Sequence, residues 1–444
     1  MTFTPHTDEQ EQRMLAALGL ADADELFAHI PKAARLAEPL DVAAGISELE
    51  VMRYVEDLGR QNRGGLVCFA GGGVYDHHLP PVVRSLTMRP EFVTSYTPYQ
   101  SEVAQGVLQA LFEYQSMVAT ITGLPVANAS LYDGASAGIE AVNLALVETG
   151  RDTVWVSRGL HPHTRQVIAT FAHARGVTII EHPLEDGRTA WSREAAGPPA
   201  ALVFGQPNYL GIIEEYDAAV TLADDLGALT AASVDPMLLG ILRTPGDAGC
   251  DIAFAEGQPL GNPLSFGGPV VGIFAVAERL MRRIPGRLSG ETVDREGRRA
   301  YTLTLRTREQ DIRREKASSN ICTNQTLNAV AAAIHLAWLG PDGLAEVGRQ
   351  SSHKARYLRG RLLDLPGVSA ISDAAYGREF GVVLPVDAST AVTSMADRGY
   401  LAGIPLDRDY PEYRNGLLVA VTEKRSRQEL DGFADALGEV IADG

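Results

Sequence analysis

The chain has 444 residues, 45% of them hydrophobic and 21% charged, a composition typical of a globular protein with room for two or three domains. Its 39 Lys and Arg against 56 Asp and Glu give a formal charge of -17, which argues against nucleic acid and anionic membranes as partners. The three cysteines are far apart and lack a C-x-x-C spacing, so we expect no disulfide framework, no metal site and a reducing compartment.

The first 64 residues predict an N-terminal helical arm. Thr7 followed by Gln10 forms a capping-box pattern, and a second short helix is expected over "ADELFAHI". The start of the chain is polar and acidic, and no apolar run approaches the roughly 20 residues of a membrane span. We therefore expect a cytoplasmic protein.

A long helix is predicted from "SEVAQGVLQALFEYQSMVATITG", with Ser101 as its N-cap. Apolar residues recur along this segment at helical spacing, which predicts one buried face. The residues of that face are Val103, Val107, Leu108, Leu111 and Val118.

From residue 65 to about residue 325, strand-like segments alternate with helical ones. This alternation predicts a mostly parallel sheet with helices on both faces, in one large α/β domain. The strand-like segments are "VANASLY", "TVWVS", "VTIIE", "AALVFGQ", "ALTAASVD", "DIAFAEG" and "VVGIFAV".

After about residue 325 the pattern changes to longer helices, "TLNAVAAAIHLAWLG" and "VGRQSSHKARYLRGRLLDL". Two later strands, "EFGVVLP" and "GLLVAVTE", precede a final helix whose start carries Ser426 and Glu429 as a capping box. Residues 326–444 therefore predict a smaller C-terminal α/β domain.

The turn "DGASAG", residues 133–138, places Ser136 between glycines where a strand-like run gives way to a helical pattern. The same letters match G-x-S-x-G, the nucleophile elbow of serine hydrolases, which needs a downstream histidine on a loop. The late histidines His335 and His353 lie inside helical patterns, which disfavours that chemistry. A helix start selected for close packing and an anion cradle are the other two interpretations.

As an anion cradle, the turn would hold a phosphate with the free N–H groups of a helix N-terminus and the Ser136 hydroxyl. Fold type I enzymes that use pyridoxal phosphate also need a ring-stacking residue, a carboxylate for the pyridine nitrogen and a lysine. His161 and Asp235 each follow a predicted strand and are candidates for the first two roles. Ordinary turn formation explains each of them equally well.

The required lysine is missing from the expected place. It should follow Asp235 within a few tens of residues, but the chain has no lysine between Lys32 and Lys316. At the expected strand end the sequence reads "AEGQPLGNP", and Gln258 and Pro259 cannot form an imine with a cofactor aldehyde. Covalent cofactor chemistry is therefore not expected of this chain alone.

Four long segments carry a family resemblance: "TSYTPYQSEVAQGVLQALFEYQSMVATITGLPVANASLYDGASA", "GQPNYLGIIE", "EGQPLGNPLSFGGP" and "REQDIRREKASSNICTNQ". They closely resemble the P-protein family of the glycine cleavage system, in particular subunit 1 of its two-subunit glycine dehydrogenase (decarboxylating). The resemblance extends from "TPHTDEQ" near the start to the C-terminal domain. It implies a fold type I architecture.

The resemblance also implies a division of labour. A homologous subunit 2 would carry the lysine and bind pyridoxal phosphate, and the two chains would assemble as an α2β2 tetramer. The implied reaction decarboxylates glycine while the cofactor ring accepts the electron pair, and it passes the aminomethyl group to the lipoyl arm of the H-protein. Ser136, His161 and Asp235 would then belong to a relic pocket in this chain.

Two polar segments are candidates for contributions to the partner's site, since fold type I dimers share residues across their interface. "TSYTPYQ" would line the entrance for glycine or the lipoyl arm, and "SSNICTN" would reach the partner's cofactor phosphate. A packed tyrosine pair and a helix cap are the respective structural alternatives. The residues concerned are Thr94, Tyr96, Thr97, Tyr99, Gln100, Ser319, Asn320 and Thr323.

Two other functions remain open on sequence alone. One is a non-catalytic scaffold or regulatory homologue that kept the fold after losing the chemistry. The other is a serine hydrolase that uses Ser136. A neighbouring gene for a lysine-bearing homologue would favour the P-protein interpretation, and labelling of Ser136 by a fluorophosphonate would favour the hydrolase.

Overall fold

A computed structural model of the chain describes residues 5–36, 38, 40–93, 97–193, 197–305, 312–314 and 317–443. The backbone divides into two compact units, Met1–Gly64 and Gly65–Gly444. No helix in the described ranges combines the length and the hydropathy that a membrane crossing requires.

The first unit is helical, as predicted. Its capping box is confirmed: the Thr7 hydroxyl accepts from the Gln10 N–H at 3.3 Å, and the Gln10 side chain accepts from the Thr7 N–H at 2.9 Å. The segment "ADELFAHI" forms a 3-10 helix rather than an α-helix. The elements are α1 (Asp8–Leu18), α2 (Glu48–Arg60) and the 3-10 helices Ala23–Phe27 and Lys32–Ala34.

The second unit mixes helices with strands. Its described helices are α3 (Pro81–Thr87), α4 (Pro90–Val93), α5 (Gln105–Thr122), α6 (Gly134–Thr149), α7 (Pro162–Arg175), α8 (Tyr216–Leu226), α9 (Thr326–Leu363), α10 (Ala388–Asp397) and α11 (Arg427–Asp443), with 3-10 helices Ser101–Val103 and Glu278–Arg283. Its described strands are β1 (Val67–Cys68), β2 (Val126–Ala127), β3 (Thr153–Ser157), β4 (Thr178–His182), β5 (Leu184–Glu185), β6 (Arg188–Thr189), β7 (Ala201–Gln206), β8 (Leu229–Val234), β9 (Ile252–Glu256), β10 (Gly272–Val276), β11 (Leu288–Val293), β12 (Arg299–Thr304), β13 (Ser369–Ala370), β14 (Glu379–Val383), β15 (Tyr400–Leu401), β16 (Ile404–Pro405) and β17 (Gly416–Ala420).

A seven-stranded sheet organises this unit, in the order β2-β10-β9-β8-β7-β3-β4. The five strands from β9 to β4 are parallel, and β10 runs antiparallel to both of its neighbours. Alternate residues of β9 enter two different cores: Ala253 and Ala255 pack in one, Ile252 and Phe254 in the other. The sheet is thus covered on both faces, and the predicted fold type I α/β class is confirmed.

The start of α5 corrects the prediction that Ser101 is the N-cap. Ser101 begins a 3-10 turn, and the α-helix starts only at Gln105. The Gln105 amide donates to the carbonyl of Tyr301 at 2.8 Å and accepts from its N–H at 2.9 Å, so a distant strand sets this boundary. Val103 is 80% exposed and does not belong to the buried face, whereas the other four apolar residues predicted there are buried.

The two helices predicted after residue 325 are confirmed as two helical stretches within α9, separated by a break at Gly340. Gly340 has φ 61° and ψ -178°, and Pro341 follows it. Proline disfavours helical conformation in the preceding residue and cannot donate a backbone hydrogen bond, so the bend occurs here. The first half of α9 packs in the sheet core through residues such as Ala332, and the second half in the C-terminal core through residues such as Leu358.

The C-terminal strands β13-β14-β17-β16 form a separate four-stranded sheet, against which α10 and α11 pack. The capping box at the start of α11 is confirmed, since the Ser426 N–H donates to Glu429 and the Glu429 N–H donates to the Ser426 hydroxyl. Strand β1 pairs with β15, so the segment after Gly65 packs with the C-terminal elements. The domain boundary near residue 325 stays a prediction, because α9 is common to both cores.

Candidate functional site

A cavity of about 470 Å³ lies where the carboxyl ends of the parallel strands meet. Loops that follow parallel strands converge at one edge of the sheet, which is where α/β proteins bind ligands. Here the loop after β3 brings His161, the loop after β8 brings Asp235, and β9 ends at Glu256. Other lining residues are Gly71–Tyr75, Asp133, Gly134 and Glu379.

The turn around Ser136 is a helix start capped by its own aspartate. The Asp133 carboxylate accepts from the Ser136 N–H at 2.7 Å, and the Ser136 hydroxyl donates to its other oxygen at 3.0 Å. This arrangement satisfies the first turn of α6 without a ligand. Because the hydroxyl is bonded to a carboxylate rather than to a histidine, the geometry does not support the hydrolase alternative.

Glu256 places a second carboxylate at the same helix start. Its side chain accepts from the Gly134 N–H at 3.0 Å and from the Gln258 N–H at 2.8 Å. Gly134 is required here, because a Cβ at this position would lie 2.7 Å from the backbone nitrogen of Glu256. Burial raises the pKa of Glu256 to about 7, although its backbone hydrogen bonds oppose that shift.

His161 faces the glycine-rich segment 71–73 across the cavity. Its Nε2 donates to the carbonyl oxygen of Gly72 at 2.6 Å, and its Nδ1 accepts from the N–H of His163 at 3.1 Å. The two bonds fix the ring as the Nε2–H tautomer. Burial lowers the pKa of His161, so the neutral ring is favoured.

Asp235 is engaged in an ion pair. One of its oxygens lies 2.6 Å from Nε of Arg378, whose side chain is 1% exposed, and the other accepts from the Met237 N–H at 3.0 Å. The guanidinium of Arg378 lies over the ring of Tyr75, with 3.5 Å between the guanidinium carbon and the ring centroid. The carboxylate that was predicted to face a pyridine nitrogen therefore neutralises a buried arginine.

Gln258 occupies the strand end where a cofactor lysine was expected. Its amide oxygen accepts from the Tyr75 N–H at 2.8 Å, and its amide nitrogen donates to the carbonyl oxygens of Tyr75 and Asn262 at 3.2 and 2.9 Å. The residue is 3% exposed. Its side chain thus fastens the 71–75 segment to the end of the sheet.

Glu379 completes the attachment of that segment. Its carboxyl accepts from the Gly72 N–H at 2.7 Å and is hydrogen-bonded to the Tyr75 phenol. Burial raises the pKa of Glu379 from 4.5 to about 7, and its hydrogen bonds and Arg378 oppose the shift. The folded chain therefore holds a proton on this carboxyl at pH values where the unfolded chain has lost it.

This difference predicts that Glu379→Gln, whose amide can keep both hydrogen bonds, gains stability relative to wild type as the pH rises. The wild-type carboxyl is protonated in the folded state and ionised in the unfolded state between its unfolded pKa of 4.5 and its folded pKa of about 7. The free energy of unfolding of wild type therefore falls as the pH rises from 5 to 8. We expect the variant's free energy of unfolding, relative to wild type, to rise by about 2 to 3 kcal/mol over this range. Urea unfolding at pH 5 and pH 8 measures it, with Glu439→Gln as an exposed control. Equal shifts for both variants would contradict the prediction.

The cavity as built does not fit pyridoxal phosphate. A phosphate at the α6 N-terminus would meet two carboxylates, Asp133 and Glu256, which already accept from its N–H groups. His161 is hydrogen-bonded to Gly72 and Asp235 is paired with Arg378. None of the residues that line the cavity is a lysine. Of the three residues predicted for a relic pocket, His161 and Asp235 line the cavity, and Ser136 is hydrogen-bonded to the N-cap residue Asp133.

A second polar region joins the two segments proposed to serve a partner. Arg287 donates to the phenol oxygen of Tyr99 at 2.7 Å, to the carbonyl of Cys322 at 3.0 Å and to the side chain of Asn324 at 3.0 Å. Its guanidinium also lies 4.9 Å from the centre of the Tyr99 ring. We call these four residues the Arg287 cluster.

Residues just before α6 form hydrogen bonds to the loop 319–325. The Tyr132 phenol oxygen accepts from the Cys322 N–H at 3.0 Å, and the Ser130 hydroxyl accepts from the Gln325 N–H at 3.1 Å. The Asn324 side chain donates to the same hydroxyl at 3.0 Å. Side chains from the segment between β2 and α6 thus fix the backbone of this loop.

The predicted residues of these segments differ in exposure. Ser319 is buried and its hydroxyl accepts from the Ile321 N–H at 3.1 Å, whereas Asn320 is exposed and Thr323 half-buried. Thr97 is half-buried, and the Tyr99 side chain is 42% exposed. Gln100 is exposed. Thr94 and Tyr96 lie outside the described residues.

Among the residues of these sites that sequence reasoning missed are Asp133, Glu256, Glu379 and Arg287. Asp133 had a usable signal, because an aspartate three residues before Ser136 is a typical N-cap. Glu256 ends a predicted strand, a position from which side chains point toward a ligand edge. Arg287 and Glu379 had no local signal, since their partners are distant in sequence.

Comparison with known proteins gives consistent results. The model of the glycine cleavage system P-protein family matches residues 1–437. A "Probable glycine dehydrogenase (decarboxylating) subunit 1" from Prosthecochloris aestuarii is 47% identical, over 99% of this chain and 100% of its own. A protein with the same description from Moorella thermoacetica is 46% identical over 100% of both chains.

Solved structures agree with this result. A crystal structure of glycine decarboxylase (P-protein) of the glycine cleavage system, in inhibitor-bound form, is 45% identical with a TM-score of 0.91, and the match covers 99% of this chain and 100% of that one. A cysteine desulfurase from Escherichia coli is 16% identical with a TM-score of 0.60, over 86% of this chain and 96% of that one. The second likeness concerns the fold alone.

Proposed function

Since this chain belongs to the glycine cleavage system P-protein family, we propose that it is subunit 1 of a two-subunit glycine dehydrogenase (decarboxylating) whose second subunit binds pyridoxal phosphate. The observation that carries the proposal is Gln258. Its amide stands at the strand end expected for the lysine and is fully bonded to Tyr75 and Asn262. A homologous chain with a lysine at this position would supply what this chain lacks.

The Arg287 cluster is the part of this chain that we assign to the partner's site. Fold type I proteins place their active sites at a dimer interface, so a second chain with the same fold would receive loops from this one. Asn320, two residues before Cys322 in the same loop, is exposed, whereas Ser319 is buried. We assign Asn320 and Thr323 to the partner's cofactor phosphate, and an α2β2 tetramer is the assembly that this exchange supports.

Tyr99 is assigned to the entrance of that shared site. Its ring is partly exposed, while its phenol oxygen is fixed by the Arg287 guanidinium. A rigid aromatic ring with a charge-assisted hydrogen bond can orient a small zwitterion such as glycine, or the arm of a carrier protein, and can exclude water. The aminomethyl group would leave through this entrance to the lipoyl arm of the H-protein.

The cofactor would supply the electron sink for decarboxylation, and this chain would supply binding and orientation. Its acidic surface and its three free thiols, Cys68, Cys250 and Cys322, are compatible with the reducing cytoplasm that we propose as its location. The test of the whole proposal is reconstitution with a lysine-bearing homologue, which is argued in full in the Discussion.

Tyr99→Phe is expected to lower turnover of the assembled complex roughly tenfold, because the ring loses the hydrogen bond to Arg287 that orients it, and misplacement of a group at an active site lowers the rate by up to about 100-fold. Assembly should be unaffected, since the ring itself remains. Exchange of labelled bicarbonate into glycine in the presence of the H-protein measures turnover, and native mass spectrometry measures assembly.

Tyr357→Phe is the matched control for this prediction. The Tyr357 phenol is likewise bonded to a charged residue, Asp431, but it lies between α9 and α11. If both variants exchange bicarbonate at the wild-type rate while remaining assembled, Tyr99 is a packing residue and its assignment is wrong.

A further inference from the structure

The α6 N-terminus already holds an anion supplied by the chain itself. Glu256 accepts from Gly134 at 3.0 Å through one oxygen, and through the other from Gln258 at 2.8 Å and Val271 at 3.4 Å. Backbone N–H groups from three separate segments thus converge on one carboxyl group, which is ionised at pH 8 because its pKa is about 7. Converging N–H groups also bind phosphate at helix N-termini in other proteins. The carboxylate thus takes up donors that a bound phosphate would need.

We propose that Glu256 acts as a resident anion that keeps phosphorylated cofactor out of this chain's own cavity. The inference rests on the proposed function, in which pyridoxal phosphate binds to the partner subunit. The missing lysine alone does not exclude the cofactor from this chain, because the cofactor could still bind noncovalently through its phosphate.

The surroundings of Glu256 reinforce the exclusion. Asp133 occupies a second N–H group of the first turn, that of Ser136, with a hydrogen bond of 2.7 Å. A doubly charged phosphate at the helix start would lie beside the carboxyl groups of Asp133 and Glu256 and be repelled by them. Two other acidic residues that line the cavity are paired with arginines, Asp235 with Arg378 and Asp409 with Arg408.

Glu256 and the helix start are in close contact. A Cβ on Gly134 would lie 2.9 Å from the Glu256 Cα, and the Glu256 carboxyl accepts from the Gly134 N–H at 3.0 Å. Glu256→Gln removes the charge but leaves an amide beside these N–H groups, whereas Glu256→Ala removes both the charge and the group that occupies them.

The experiment compares Glu256→Ala and Glu256→Gln with wild type as full-length chains, by isothermal titration at pH 8 with three probes: inorganic phosphate, pyridoxal phosphate and pyridoxal. We expect wild type to take up none of them measurably. Glu256→Ala should bind both phosphorylated probes at least tenfold more tightly than wild type does and show no gain for pyridoxal, and Glu256→Gln should show a smaller gain because its amide still occupies the N–H groups. Glu148→Gln removes the same charge near the other end of α6, where Glu148 faces Arg283, and should behave as wild type.

Three results would overturn the proposal. The first is equal, weak phosphate binding by wild type and a folded Glu256→Ala, judged by unchanged circular dichroism. The second is tight phosphate binding by wild type. The third is loss of folding in both Glu256→Gln and Glu256→Ala, which would show that the carboxylate is needed for folding. The proposed function is judged separately, since reconstitution with the partner reports decarboxylation whatever the phosphate titration shows.

Discussion

The isolated chain, mixed with pyridoxal phosphate, is expected to form no covalent lysine adduct and to decarboxylate no glycine, and addition of a lysine-bearing homologous subunit should restore both. The expected change in activity is all-or-none, because no amine lies at the strand end where Gln258 is bonded to Tyr75. Two described lysines are engaged elsewhere: Lys354 donates to the carbonyl of Glu423, and Lys424 pairs with Asp76 at 2.6 Å.

The measurement is borohydride reduction of the chain with cofactor, followed by mass spectrometry of the modified peptide. The same treatment of the reconstituted complex is the positive control and should label the partner alone. Lys316, which lies outside the described residues, is the lysine next after Gln258 in sequence. A stoichiometric adduct on Lys316, together with decarboxylation by the chain alone, would show that this chain is self-sufficient.

The double variant Asn320→Ala with Thr323→Val should weaken cofactor retention in the assembled complex at least tenfold. Each hydrogen bond to a phosphate is typically worth about 1.5 to 3 kcal/mol, so the loss of two exceeds one power of ten in affinity. Ser319 is left in place because its hydroxyl holds the loop through the Ile321 N–H. The loop itself should keep its conformation, because Tyr132 and Ser130 accept hydrogen bonds from its backbone N–H groups at Cys322 and Gln325.

Equilibrium titration of the complex with pyridoxal phosphate measures this affinity. A matched control is Thr170→Val on α7, an exposed threonine whose hydroxyl donates only to its own helix, at Gln166. If the double variant and the control titrate alike with intact complexes, the 319–323 loop is a helix cap and contributes nothing to the partner's cofactor.

Local patterns in the sequence located most of the large sheet. The segment "TVWVS" coincides with β3, and the segments predicted for β7, β8 and β9 overlap the observed strands within a residue or two at each end. Buried parallel strands are short apolar runs, and their signal lies within the run itself. The capping boxes at Thr7 and Ser426 were confirmed for the same reason: their partners are three residues away.

Features that depend on distant residues were missed or wrong. Ser101 was predicted as a helix cap, but the start of α5 is set by the pairing of Gln105 with Tyr301. Val103 was predicted to lie on the buried face of this helix, but it precedes α5 and is 80% exposed. Such boundaries are decided by tertiary hydrogen bonds that no local window contains.

By itself the sequence determined the fold class, the absence of a lysine from the expected strand end and the family. Only the tertiary structure decided what fills the place of the lost chemistry. Glu256 meets Gly134, Gln258 meets Tyr75 and Asp235 meets Arg378 across large separations along the chain. A buried polar group must be paired, but its residue type does not say with which partner, so the pairing appears only when the chain is folded.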